Sequence, residues 1–286
     1  MTAREGSYGI MVNIITDSTA DLGEQLAREH QVKVVPLSVY IGGKTYRDGV
    51  DLGAEDVFRL VEETGELPKT SAPTIAEFKE AFESAEESIY IGISSRLSAS
   101  VANANLAAQL LPERRIHVVD SLSLSTGIGL LVLMACDLRD QGLPPDEIVA
   151  RTRAAVPKLH VHFIVDTLRY LYLGGRCTAV ENLFGSVLKI RPVLETRADG
   201  TLGVADKVRG PRRRGLQWML DDFAAHADQT DLSRVFVTHA GCPEDADYLA
   251  REIRTRFGAT VLTTTAGAVI SSHCGPGTIG VLYLTV

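Results

Sequence analysis

Apolar positions along the first half of the chain fall into short continuous runs separated by amphipathic stretches. Val12–Thr16, Ser88–Ile93 and Ile116–Val119 are compact runs that read as buried strands, and Val32–Val35 and Leu37–Ile41 read as extended. Between them, Asp21–His30, Ala54–Thr64 and Ser98–Leu111 follow a helical period, with Val57, Leu60 and Val61 on one face of the second. Leu124–Gln141 is apolar nearly all round, which predicts a helix buried on most sides. Continuous apolar strands alternating with helices imply a mainly parallel sheet covered on both faces.

The pattern changes after Gly142-Leu143-Pro144-Pro145 and the helix Glu147–Val156. Val161–Val165, Ile190–Thr196, Leu202–Val208, Arg234–Thr238, Thr260–Thr264 and Ile279–Thr285 read as strands. Helices are expected over Ala179–Val187, Arg212–His226 and Glu244–Phe257, and Asp199-Gly200 is a hairpin signal. The fold class is therefore α/β. A boundary near Pro157 separates an N-terminal α/β/α domain, 11–157, from a smaller C-terminal α/β domain with a mixed sheet, 158–286. Met1 to Gly9 read as a leader outside the fold, with Met11 as the natural start.

At 286 residues, two domains are the natural expectation. The net charge of −7 argues against nucleic acid as a partner. No apolar run approaches the roughly 18 residues of a membrane span, so at most transient membrane contact is expected. Cys136, Cys177, Cys242 and Cys274 show no CxxC spacing and read as reduced thiols of a cytoplasmic protein.

Hydroxyl residues cluster where strands end. Thr16 to Asp21 (TDSTAD), Lys69 to Thr74 (KTSAPT), Ile93 to Ser98 (ISSRLS) and Asp120 to Ser123 (DSLS) would converge at the carboxyl edge of a parallel sheet. Helix N-termini there suit an anion. A helix-capping role for each cluster is the competing reading. Gly43-Lys44-Thr45 lacks the upstream glycine of a P-loop, because Ser38 stands there. Gly92 to Arg96 lacks the last glycine of a nucleophile elbow. Gly127 and Gly129 within a helix suggest close packing, and His160 and His162 on one strand face read as structural. Gly174-Gly175 ends a short helix and fixes Arg176 at a turn. His273 precedes a glycine-proline turn, Cys274 to Gly277, and is expected on the surface.

Taken in order, TDSTAD, KTSAPT, ISSRLS, Val165 to Leu171 (VDTLRYL), Gly174-Gly175-Arg176 and His273 to Gly277 (HCGPG) resemble the DegV family from Val12 to Val286. The resemblance implies an α/β/α domain, a smaller α/β domain and a long-chain fatty acid between them. It further implies that an ATP-dependent kinase subunit phosphorylates the acid's carboxylate, that the product enters phospholipid synthesis, and that the chain is a carrier with no cofactor and no metal. Carried over by motif, Thr70 and Ser71 match the family's carboxylate contact, Ser94 and Ser95 its serine pair, His273 its histidine and Arg176 its supporting arginine. The chain departs from the pattern at Ala99-Ser100, where the family has glycine and threonine, and at Ser271, where it has glycine.

Two other functions compete. Ser94 or Ser95 with His273 and Asp17 or Asp120 would make a serine hydrolase, and the same hydroxyls would suit a phosphorylated small molecule. Arg209, Arg212 and Arg213 belong to a run of four arginines in six residues, unusual in an acidic chain and a candidate docking surface for the kinase.

Overall fold

The computed structural model describes residues 12–179 and 190–286. The expected leader and all but the first residue of the helix expected over Ala179–Val187 lie outside the described residues. Four strands form a parallel sheet: β1 (Asn13–Asp17) pairs with β2 (Lys33–Val35) and with β6 (Glu87–Gly92), and β6 pairs with β7 (Arg115–Asp120). Every residue of β6 is buried, as a strand covered on both faces requires. One face packs Ile15 and Tyr90 against α3 (Ile75–Phe82) and α4 (Ser100–Gln109). Thr74 and Glu77 cap α3 reciprocally, each side chain accepting from the other's backbone N–H. The opposite face packs Ile14, Ile89 and Ile91 against α5 (Thr126–Asp140).

A second sheet was not foreseen as such. β3 (Ser38–Ile41) leaves the parallel sheet and pairs antiparallel with β4 (Lys44–Arg47) and β5 (Lys69–Ser71). Gly42 and Gly43, both in the left-handed region, form the tight turn between β3 and β4, which is what the GKT segment is for.

The remaining strands build a six-stranded mixed sheet. Its order is β10 (Leu202–Arg209), β9 (Ile190–Thr196), β8 (Leu159–Ile164), β13 (Thr278–Leu284), β11 (Val235–Ala240) and β12 (Val261–Thr265). Only the β11–β12 pair is parallel. Ile164, Val237, Val281 and Tyr283 face α8 (Arg212–His226) and α9 (Pro243–Phe257). Val161, Phe163, Leu194 and Leu282 face the other way, into the same core as α5. The all-round apolarity of α5 thus has a physical cause: it is sandwiched between the parallel sheet and the mixed sheet. An ideal Cβ at Gly127 would sit 2.9 Å from Val161 of β8, and one at Gly129 would sit 3.1 Å from the Ala20 carbonyl, so both glycines are packing positions. Each fully buried leucine here contributes about 1.5–3 kcal/mol.

His160 and His162 lie under α8. A carboxylate that the sequence did not reveal stands beside them: Asp222 Oδ2 is 2.9 Å from His162 Nδ1. No described helix is long and apolar enough to cross a membrane.

Candidate functional site

Three of the hydroxyl clusters, those after β1, β6 and β7, stand at the carboxyl edge of the parallel sheet, whereas Lys69 to Thr74 starts on β5 of the antiparallel sheet, and many of the polar groups in the first three bond within the fold. Asp17 accepts from Tyr90 Oη at 2.6 Å and from the Ile93 N–H at 3.2 Å. Thr16 donates to the Ile91 carbonyl at 2.7 Å. The Ser94 N–H donates to the Ser123 carbonyl at 2.9 Å, and the Ser95 N–H to Asp120 at 3.2 Å. Ser94 itself is buried, and its hydroxyl donates to the Gly200 carbonyl at 2.7 Å. It therefore seats the β9–β10 hairpin on the loop after β6. Ser95 is exposed.

Thr70 behaves differently. It lies on β5 opposite Val39 of β3, and its hydroxyl shares a 2.8 Å hydrogen bond with His273 Nε2 across 203 residues of sequence. Side chains alternate along a strand, so Ser71 projects from the other face and is exposed. His273 is not in a surface turn. It sits on α10 (Ala268–Cys274), whose Val269, Ile270, His273 and Cys274 all line one cavity. Burial, and then the nearby Arg176, lower its pKa to about 4, so the imidazole is neutral at physiological pH. Its Nδ1 is buried and has no hydrogen-bond partner among the described residues.

The cavity has a volume of about 160 Å³. Its polar groups are Thr70, Ser98, Arg176 and His273, and its walls are apolar, among them Leu97, Leu124, Leu171, Leu202 and Ile270. α7 (Arg169–Gly174) ends at Gly175 in the left-handed region, and the turn delivers Arg176 to the cavity, where its Nη1 donates to the Gly174 carbonyl at 2.8 Å. Through Leu124, Ile270 and Cys274 the cavity adjoins a second, tighter one of about 20 Å³, floored by Val161, Phe163, Gly280 and Leu282 of the mixed sheet. Larger clefts elsewhere, of about 570, 500 and 660 Å³, contain none of Thr70, Arg176 and His273.

Of the expected site residues, then, the fold brings Thr70, Arg176 and His273 together and leaves Ser71, Ser94 and Ser95 outside the cavity lining. Ser98 takes a place that was not foreseen. Its signal was in the sequence, as the last hydroxyl of ISSRLS before α4. The hydrolase constellation does not form: among the described residues neither Ser94 nor Ser95 hydrogen-bonds His273, and Asp17 is committed to Thr19, Tyr90 and Ile93. No described cluster of His, Cys, Asp or Glu could hold a metal ion. Of the arginine run, Arg209 and Arg213 are exposed, but Arg212 is half-buried in ion pairs with Asp245 and with Asp166, the latter at 2.7 Å. That corrects its assignment to a free docking surface: its charge is already neutralised within the fold.

The family model described as "Uncharacterised protein, DegV family" matches residues 11–286. The chain belongs to the DegV family. A DegV domain-containing protein of Caldanaerobacter subterraneus subsp. tengcongensis is 32% identical over 277 residues, 95% of this chain and 98% of that one. Among solved structures, a Thermus thermophilus DegV family protein described by its fatty acid binding is 32% identical with a TM-score of 0.90. The match covers 97% of this chain and 100% of the other. The Streptococcus pneumoniae fatty acid kinase (Fak) B3 protein, loaded with linoleic acid, is 25% identical with a TM-score of 0.86, over 97% and 100% of the two chains.

Proposed function

We propose that this DegV protein binds a long-chain fatty acid and presents its carboxylate to an ATP-dependent kinase subunit. The observation that carries this reading is the pairing of a small polar cluster, Thr70, Ser98, Arg176 and His273, with an apolar cleft that leads away from it toward Gly280 and Leu282. A carboxylate leaving water needs hydrogen-bond partners. Two hydroxyls and a neutral imidazole supply them, and Arg176, the one cation of the cluster, is exposed and its charge is screened by solvent, so an oxygen stays nucleophilic. That oxygen would attack the γ-phosphorus of ATP on the kinase, forming acyl phosphate and releasing ADP. A tail of roughly fourteen methylenes would gain on the order of 11 kcal/mol gross on burial. In this reading the ligand lies between the unit 11–157, which supplies Thr70 and Ser98, and the unit 158–286, which supplies Arg176 and His273. The fatty acids held by the Thermus thermophilus and Streptococcus pneumoniae relatives support the ligand class. The kinase step is supported by the second of these alone. Arg209 and Arg213 remain the exposed cations proposed to meet the kinase.

Mass spectrometry of a solvent extract of the purified protein tests the ligand. The expected result is a fatty acid of roughly 14 to 18 carbons, whose methylenes at about 0.8 kcal/mol each supply the burial gain. Apoprotein that also fails to take up palmitate or oleate would overturn the reading.

A further inference from the structure

The helix α10, which carries His273, is only seven residues long and begins at a buried pair of carboxylates. Asp21 comes from the loop after β1, and its Oδ1 accepts the Gly267 N–H at 2.8 Å. Asp48 comes from the turn after β4, and its Oδ1 accepts the next N–H, that of Ala268, at 2.6 Å. Successive free N–H groups at one helix end thus each have an acid of their own, drawn from segments more than 200 residues away in sequence. Both acids are anchored in turn. Ser125, at the start of α5, donates to Asp21 Oδ2 at 2.6 Å, and the Asp48 N–H donates to the Leu37 carbonyl at 2.9 Å. Leu37 also lines the cavity that holds Thr70 and His273. Gly267 completes the fit, because a Cβ there would lie 2.9 Å from Asp48 Oδ1 and 3.2 Å from Asp21 Oδ1.

We propose that Asp48, together with Asp21, is a positioning residue of the carboxylate site: it fixes the N-terminal end of α10 and so sets His273 against Thr70. One turn beyond the clamped residues lie Ser271, Ser272 and His273, and the helix is too short to absorb a tilt at its start. A loosened start would move the imidazole relative to β5, which is held separately by its pairing with β3. Burial raises the Asp48 pKa to about 6 and that of Asp21 well above its usual value, so the ionised form of each is held at a cost. Among the described residues the charged groups around Asp48 give it no salt bridge: Asp17 and Asp21 repel it, Glu24 and Arg28 line the same cleft and lie 3.9 Å from each other, and Arg47 is paired with Asp51.

The part of this inference that concerns ligand affinity rests on the fatty-acid reading, whereas the part that concerns the ring does not. The test uses Asp48→Asn, with Gly267→Ala as a second variant that pushes the acids away without changing charge. In ligand-free protein the His273 ring resonances in a nitrogen-15 spectrum should shift in both variants. Palmitate affinity should fall about tenfold, as for a lost charge-assisted hydrogen bond, and that of methyl palmitate by less than about twofold. In a His273→Ala background Asp48→Asn should add nothing to the loss. At about pH 7.5 the unfolding temperature of Asp48→Asn should not fall, because a costly buried charge has gone. Unshifted His273 resonances would overturn the proposal. So would equal losses for acid and ester accompanied by a lower unfolding temperature, the pattern of a merely structural residue. If wild-type protein binds neither palmitate nor its ester, the fatty-acid reading fails, and the ring spectra still decide the clamp.

Discussion

Two hydroxyls that look alike in the sequence end in opposite situations. Ser94 lies just after β6 and Thr70 within β5, and the hydroxyl of each makes one long-range hydrogen bond, to Gly200 and to His273 respectively. Ser94 is buried, and its partner is a backbone carbonyl with nothing further to offer. Thr70 is half-buried and faces a cavity, and its partner is an imidazole whose second nitrogen has no partner among the described residues. The first contact closes the fold, while the second leaves hydrogen-bonding capacity free. A polar cluster is a binding site only where such capacity remains after folding, and composition alone does not report what remains.

The largest effect should come from attacking the closed contact. Gly200 has a φ of +82°, and a Cβ there would lie 2.4 Å from Ser94 Oγ. Gly200→Val combines backbone strain with overpacking and should cost about 3–5 kcal/mol of stability. Denaturant unfolding measures that cost, and a loss below about 1 kcal/mol would mean that the hairpin is not seated by Ser94.

Next in size is the pH dependence of the open contact. The folded-state pKa of His273 is depressed to about 4 from an ordinary 6.5. The unfolded chain therefore takes up the proton first as pH falls. The contribution of neutral His273 is complete above about pH 6.5 and is lost on acidification toward pH 4, a span worth about 3 kcal/mol. Asp48, raised to about 6, acts with the opposite sign. Comparing wild type with His273→Gln at each pH cancels Asp48. The stability difference should move against the wild type between about pH 6.5 and 4, and a flat difference would refute a neutral, desolvated imidazole.

His273→Ala should weaken fatty acid binding by about 1–3 kcal/mol, because a buried carboxylate loses a donor, and should weaken binding of the methyl ester much less. Calorimetry with both ligands makes the comparison; equal losses would assign His273 a packing role. Ser94→Ala should reverse the pattern, lowering stability by about 1–2 kcal/mol while changing palmitate affinity by less than about twofold. A large affinity loss without destabilisation would return Ser94 to the site.

The same distinction explains what the sequence made legible. α5 was readable because two sheets demand an apolar residue on every side of it, and the β9–β10 hairpin because Asp199-Gly200 has a local turn chemistry. β4 and β5 were not: Lys44–Arg47 and Lys69–Ser71 are short, largely exposed and without an apolar period. α10 was missed because its seven residues mix alanine, valine and serine and are buried almost throughout, so no polar face marks a helix. Thr70, Arg176 and His273 were reached through the resemblance of motifs, which also brought in Ser71 and Ser94. Strand alternation turns the former away from the cavity, and the hydroxyl of the latter donates to the Gly200 carbonyl of a distant hairpin. Asp48 had no signal at all, since its role depends on an N–H group 220 positions away.

The smallest effect separates a committed charge from a free one within the arginine run. Arg212 is held between Asp166 and Asp245, so Arg212→Glu would set three carboxylates together and is a stability experiment. Arg213 is exposed, and no ion pair is found for it among the described residues. Arg213→Glu should therefore change stability by no more than about 0.5 kcal/mol and leave palmitate binding unchanged. If its free charge steers the kinase, the apparent KM of the kinase for the loaded protein should rise severalfold at low salt. The gap should narrow as ionic strength passes about 0.1 M, where the screening length falls to roughly 10 Å. Steady-state assays of acyl phosphate formation across a salt series measure this. An unchanged KM at every salt concentration would leave Arg213 a solvated surface charge and move the docking face elsewhere.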